Sequence, residues 1–228
     1  MEKSNIHEKI KLLTGNGMWH TQETEDLPSV HLSDGPHGLR KQEEKERQNN
    51  VSLVSTCYPT ASALACSWDV TAAERLGRAV AKEAWNADVA VLLGPGINMK
   101  RSPLCGRNFE YFSEDPFLAG RLGAAYVSAA QGEDVAVSLK HFAANNQETN
   151  RQTANSQIDE RALREIYLSA FEYVVKTARP ATVMASYNRL NGYYACENRH
   201  LLTEILREEW GFDGVVISDW GACADLAK

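Results

Sequence analysis

The sequence has no apolar run approaching the roughly 20 residues that span a bilayer. Its opening, MEKSNIHEKIKLL, lacks the long apolar stretch of an export signal. A cytoplasmic protein with no membrane partner is expected. Cysteine is sparse: Cys57, Cys66, Cys105, Cys196 and Cys223 are scattered, odd in number and nowhere spaced C-x-x-C. That argues against a disulfide framework or a cysteine zinc site and reads as free thiols in a reducing compartment. Basic residues are outnumbered, 24 Lys and Arg against 30 Asp and Glu, for a net charge of -6, which argues against a general nucleic-acid binder. The one charge-dense stretch, KQEEKERQNN (41–50), mixes both signs and reads as a solvated loop. His31 and His37 have no H-E-x-x-H motif or cysteine pair beside them to support a zinc site. No Walker-A loop is present. GPGINMKR (94–101) has two glycines at the spacing of a dinucleotide fingerprint but not the third.

What is present is an alternation. ADVAVLLGPG (87–96), DVAVSLKHF (134–142), ATVMASYN (181–188) and GVVISDW (214–220) are short apolar runs without period-2 patterning, as buried parallel strands are. SVHLSDG (29–35) and SALACSW (62–68) are weaker candidates. Helical patterns fill the gaps at 71–87, 116–132, 159–178 and 198–211, with Asp159 as an N-cap, Pro116 in a first turn and Gly211 as a C-cap. This predicts an α/β fold with a parallel sheet. A doubly wound sheet and a (β/α)8 barrel both fit. Asp34, Lys140, His141, Tyr187 and Asp219 fall at C-terminal strand ends, where barrels build their active sites, and this favours the barrel. About six of the eight strand–helix units can be counted, so residues 1–228 read as one incomplete TIM-type barrel domain.

Asp219 leaves a buried strand directly before Trp220. It can cap a following helix. Beside a large ring that can cover the apolar face of a pyranose, it can also attack an anomeric carbon. Lys140 and His141 are neighbours in a strand, so alternation allows at most one of them to point squarely inward. Lys140 can be half of an ion pair, or a Schiff-base lysine as in an aldolase. The amides Asn145, Asn146, Gln147 and Asn150 can bind hydroxyls or form a hydrated loop. Arg107, among Glu110, Glu114 and Asp115, can grip vicinal hydroxyls or belong to a surface ion cluster.

Taken in order and spacing, LSDGPHGLR, YPTASALACSWD, LLGPGINMKRSPLCGRNFEYFSEDP, SLKHFAANNQETNR, VMASYNRLNG and GFDGVVISDWGA resemble the N-terminal barrel domain of family 3 glycoside hydrolases, in the β-glucosidase branch. The resemblance implies that Asp219 is the nucleophile of a retaining mechanism. It implies that Asp34, Arg107, Lys140 and His141 hold sugar hydroxyls, that Tyr187 stands beside the nucleophile, and that Met184 and Trp220 wall the sugar site. Lys140 becomes a binding lysine and the aldolase reading falls away. No metal or organic cofactor is implied. The expected substrate is a β-glucoside or short oligosaccharide. The acid/base is expected in an α/β domain following the barrel, and KHFAANNQET departs from the KHFPGHG-type loop that houses a histidine acid/base in another branch. The 228 residues thus read as part of a longer enzyme. A β-xylosidase, a non-catalytic sugar binder, and an assembly subunit that self-associates through an open barrel edge are the competing readings.

Overall fold

The computed structural model describes residues 6–35, 37–43 and 51–223. Most of the mixed-charge run 41–50, and the segment 224–228 that a helix capped by Asp219 would need, lie outside the described residues. Five parallel strands form the frame: β1 (Leu32–Asp34), β2 (Val91–Leu93), β3 (Ala136–Phe142), β4 (Thr182–Ala185) and β5 (Val215–Ser218). They lie side by side in chain order. A doubly wound sheet would reverse direction at a switch point, whereas a barrel wall runs on in sequence. The sheet is therefore a barrel arc. Among the described residues β1 and β5 each have one neighbour in it.

Among the described residues the arc has five strands, against about six expected. The 62–68 candidate is helical over Ala61–Ala65, with the Thr60 side chain accepting from the Ala63 N–H at 3.2 Å. A short apolar run rich in Ala and Leu has no period to separate strand from buried helix, and its threonine cap decided the matter.

The connecting helices are α1 (Val70–Asn86), α2 (Pro116–Gln131), α3 (Ser169–Ala178) and α4 (His200–Glu209), the last wound as a wider π-type helix. Asp69 and Asp115 cap α1 and α2 by accepting from Thr71 and Phe117 N–H groups. Asp159 caps the short turns that lead to α3. Gly211 ends α4 at φ +72°, a conformation that disfavours any residue with a Cβ. No described helix is long and apolar enough to cross a membrane.

Strand alternation divides the apolar residues between two faces. Leu92, Val137, Leu139 and Val183 join the large cluster that includes the helices, with Val216 packed against it. Val91, Leu93 and Met184 form a small cluster on the other face, with Leu32, Ala136 and Ile217 against it. Aligned register between β3, β4 and β5 keeps the two sets separate. The peptides Gly94–Pro95, Lys140–His141 and Phe142–Ala143 are cis.

Helix α1 packs against α2, and α2 against α3. The first contact is close because Gly77 has no side chain: a Cβ there would stand 2.5 Å from the Tyr126 carbonyl oxygen. Gly77→Ala would gain up to about 1 kcal/mol of helix propensity but must push two packed helices apart. We expect a net loss of about 1–2 kcal/mol, read as a lower urea midpoint at unchanged slope. Gly106→Ala, whose Cβ would meet only Glu148 at 4.0 Å, is the control and should leave the midpoint in place.

Candidate active site

Asp34, Arg107, Lys140, His141, Met184, Tyr187, Asp219 and Trp220 all line one cavity of about 770 Å³. Parity along the strands explains most of this. Leu32, Leu93, Ala136 and Ile217 face the small cluster, so Asp34, Lys140 and Asp219, at even offsets from them, point the same way. Met184 belongs to that cluster itself. Tyr187 follows β4 by two residues. Arg107 arrives from a loop and precedes a 3₁₀ turn, Asn108–Glu110.

His141 has the opposite parity to Lys140, yet both line the cavity. The expectation that only one could do so does not hold, because β3 loses regular register against β4 between Leu139 and Phe142. Lys140 there pairs instead with the segment after β2, its N–H donating to the Pro95 oxygen and its carbonyl accepting from Ile97. Asn98 then holds the His141 backbone on both sides, at 2.7 and 2.8 Å. The amide tract does not reach the cavity: Asn145 donates to Glu148, and Asn146 to the Met99 carbonyl.

The charges form one connected set. Lys140 Nζ lies 3.1 Å from Asp34 Oδ1 and 3.5 Å from Glu110 Oε2. Arg107 Nε binds Glu110 Oε1, its Nη2 donates to His141 Nε2 at 2.6 Å, and its Nη1 stands 3.9 Å from Asp219 Oδ2. Burial, then the charges of Arg107 and Lys140, hold the His141 imidazole well below its ordinary pKa, so it is neutral. Arginine can only donate, so Nε2 accepts and Nδ1–H donates to the Tyr111 oxygen, 2.9 Å away. The two oxygens of Asp219 are unequal. Oδ1 accepts the Trp220 N–H at 2.8 Å, while Oδ2 is buried without a hydrogen-bond partner. Burial raises the Asp219 pKa, against the lowering pull of the Trp220 N–H, Arg107, Lys140 and the Tyr187 hydroxyl. The Tyr187 hydroxyl is pushed up to about 12 by burial and by Asp219, and stays protonated.

An aromatic corner borders this set. Trp19 and Trp220 have ring centroids 5.4 Å apart, tilted by 40°. The Trp220 indole donates to the Met18 carbonyl at 2.7 Å, and the Trp19 indole to Gln42 at 3.0 Å. Trp19, Arg40, Glu110 and Arg151 line the cavity without having been singled out as site residues from sequence. Arg151 lies over the Tyr187 ring, 4.4 Å from its centroid. Only Glu110 left a local sign, an R-x-x-E spacing that a 3₁₀ turn brings onto one side. His31 stacks on His20 at 4.3 Å, and among the described residues no group of three or more His, Cys, Asp and Glu could hold a metal ion.

A buried carboxylate, two cations and an aromatic wall thus meet in one pocket at the C-terminal rim of a barrel arc. Residues 34–228 match the model of the glycosyl hydrolase family 3 N terminal domain, and the chain belongs to that family. It is similar to thermostable beta-glucosidase B of Acetivibrio thermocellus, 53% identical over 99% of this chain and 30% of the relative. It is also similar to an exo-alpha-(1->6)-L-arabinopyranosidase of Bifidobacterium longum, 50% identical over 96% of this chain and 30% of that protein. The crystal structure of beta-glucosidase 3B from Thermotoga neapolitana in complex with glucose superimposes with a TM-score of 0.89 at 42% identity, over 96% of this chain and 33% of that one. The chain thus spans about a third of the length of these relatives.

The neutral His141 carries a stability prediction. Its folded pKa lies below the ordinary 6.5, so the unfolded chain takes up the proton first on acidification. Stability from this group is complete above that value and is lost as pH falls below it, by about 1.4 kcal/mol per pH unit for one proton. Urea unfolding of the chain between pH 7 and 5 should show this slope, and His141→Gln should reduce it by close to one proton.

Proposed function

We propose that this chain carries the nucleophile and the sugar-binding face of a retaining glycoside hydrolase acting on β-glucosides. The observation that carries the reading is the Asp219 carboxylate: the residue lines the shared cavity, and its buried Oδ2 has Arg107 and His141 at 3.9 and 3.7 Å and no close hydrogen-bond partner. An attacking oxygen needs an uncommitted lone pair, and Oδ1 is already engaged by the Trp220 N–H. Asp34, Lys140 and Arg107 supply acceptors and donors for ring hydroxyls, and Trp220 supplies an apolar face. The anomeric carbon would be taken by Oδ2 to form a covalent glycosyl-enzyme, which water then releases with net retention.

The chemistry also calls for a second carboxyl, about 5–5.5 Å from the nucleophile, to protonate the leaving oxygen. Asp34 and Glu110 are both committed to cations, which suits acceptors better than a proton donor. We therefore assign the acid/base to the following α/β domain that the family resemblance implies. The Bifidobacterium longum relative supports a second substrate reading, an α-L-arabinopyranoside in the same pocket.

An activated 2-deoxy-2-fluoro β-glucoside tests this directly, because a good leaving group needs little acid assistance. Intact-protein mass spectrometry should show the gain of one fluoroglucosyl unit, abolished in Asp219→Asn. Labelling that persists in Asp219→Asn, or fails in the unsubstituted chain, would refute the assignment. Parallel incubations with activated β-xyloside and α-L-arabinopyranoside rank the substrate readings.

A further inference from the structure

We infer that Glu110 is a positioning residue that holds Arg107 off the attacking oxygen of Asp219 and gives Lys140 an anion other than Asp34. Glu110 does not reach the reacting atoms through any contact of its own, yet it is 4% exposed and engages both site cations with different oxygens. Arg107 is a fork with three directions. Its Nε is on Glu110, its Nη2 on His141, and its Nη1 stops 3.9 Å from Asp219 Oδ2, beyond hydrogen-bond reach. That residual gap keeps Oδ2 clear of the guanidinium. Lys140 likewise divides between Glu110 and Asp34, which leaves acceptor capacity on Asp34 for hydroxyls.

Removing the charge of Glu110 leaves two buried cations with fewer counter-ions. Asp219 Oδ2, buried without a hydrogen-bond partner, stands 3.9 Å from Arg107 Nη1. Arg107 then closes on it, and the nucleophile becomes one half of an ion pair. Asp219 is faced by Arg107 from its loop, by Lys140 and His141 from β3, and by Tyr187 from the end of β4. With His141 neutral and Tyr187 protonated, Arg107 and Lys140 are the groups whose rearrangement moves its titration.

The glycosidase reading underlies only the kinetic arm of the test. The other arm follows the Asp219 carboxyl by NMR in the chain labelled with 13C-aspartate. In Glu110→Gln this carboxyl should titrate at lower pH than in the unsubstituted chain, and labelling by the fluoroglucoside should be about tenfold to a hundredfold slower. In an Arg107→Gln background the same substitution should produce a much smaller shift. An unchanged titration in Glu110→Gln overturns the inference. So does an equal shift in both backgrounds, which would make Glu110 a distant charge rather than a tether. Should Glu110→Gln fail to fold, Glu110→Asp keeps the charge but is too short to span both cations, and should move the titration the same way. No labelling of the unsubstituted chain would count against the glycosidase reading, while the Asp219 titration still decides the role of Glu110.

Discussion

Taking a carboxylate out of water costs several kcal/mol unless cations or hydrogen-bond donors stand beside it. This pocket places Glu110, Asp219 and the half-buried Asp34 within one small volume, and Arg107 and Lys140 bridge them. The rest of the site follows from that balance. His141 stays neutral because it is buried, and then because it stands among cations, and its neutrality lets Nε2 accept from Arg107. Asp219 stays available because the guanidinium has better partners elsewhere.

The balance is held by a buried frame. β2 and β4 are buried throughout, and β3 nearly so, with the apolar layer of α1, α2 and α3 behind them. Strand register carries Asp34, Lys140 and Asp219 to one rim from three separate strands. The Trp19–Trp220 corner adds a tie between the two ends of the arc, because Leu32 at the start of β1 donates to the Trp19 carbonyl while Trp220 follows β5. A pocket is thereby walled on a side where the described sheet has no strand.

Much of this was legible beforehand wherever the signal is local. The four strong strand runs, the Asp159 cap and the Gly211 stop depend on residues within a few positions of one another, and they are where the sequence places them. The eight candidate site residues, drawn from separate stretches of the chain, line one cavity. The 62–68 run misled because a short apolar stretch carries no period. The Lys140–His141 pair misled because strict alternation fails where β3 shifts register to meet the segment after β2.

By itself the sequence determined the class of fold, the strand ends and the types of group that gather at the rim, since each follows from short-range pattern and from side-chain chemistry. Only the tertiary structure decided how those groups are committed. That Glu110 serves Lys140 as well as Arg107, that Oδ2 and not Oδ1 of Asp219 is free, and that Trp19 joins Trp220 are facts about distances between residues far apart in the chain. Hydrogen bonds are lost within an ångström of their optimum and ion pairs weaken with distance, so no linear pattern specifies them until the packed sheet and helices have set the spacing.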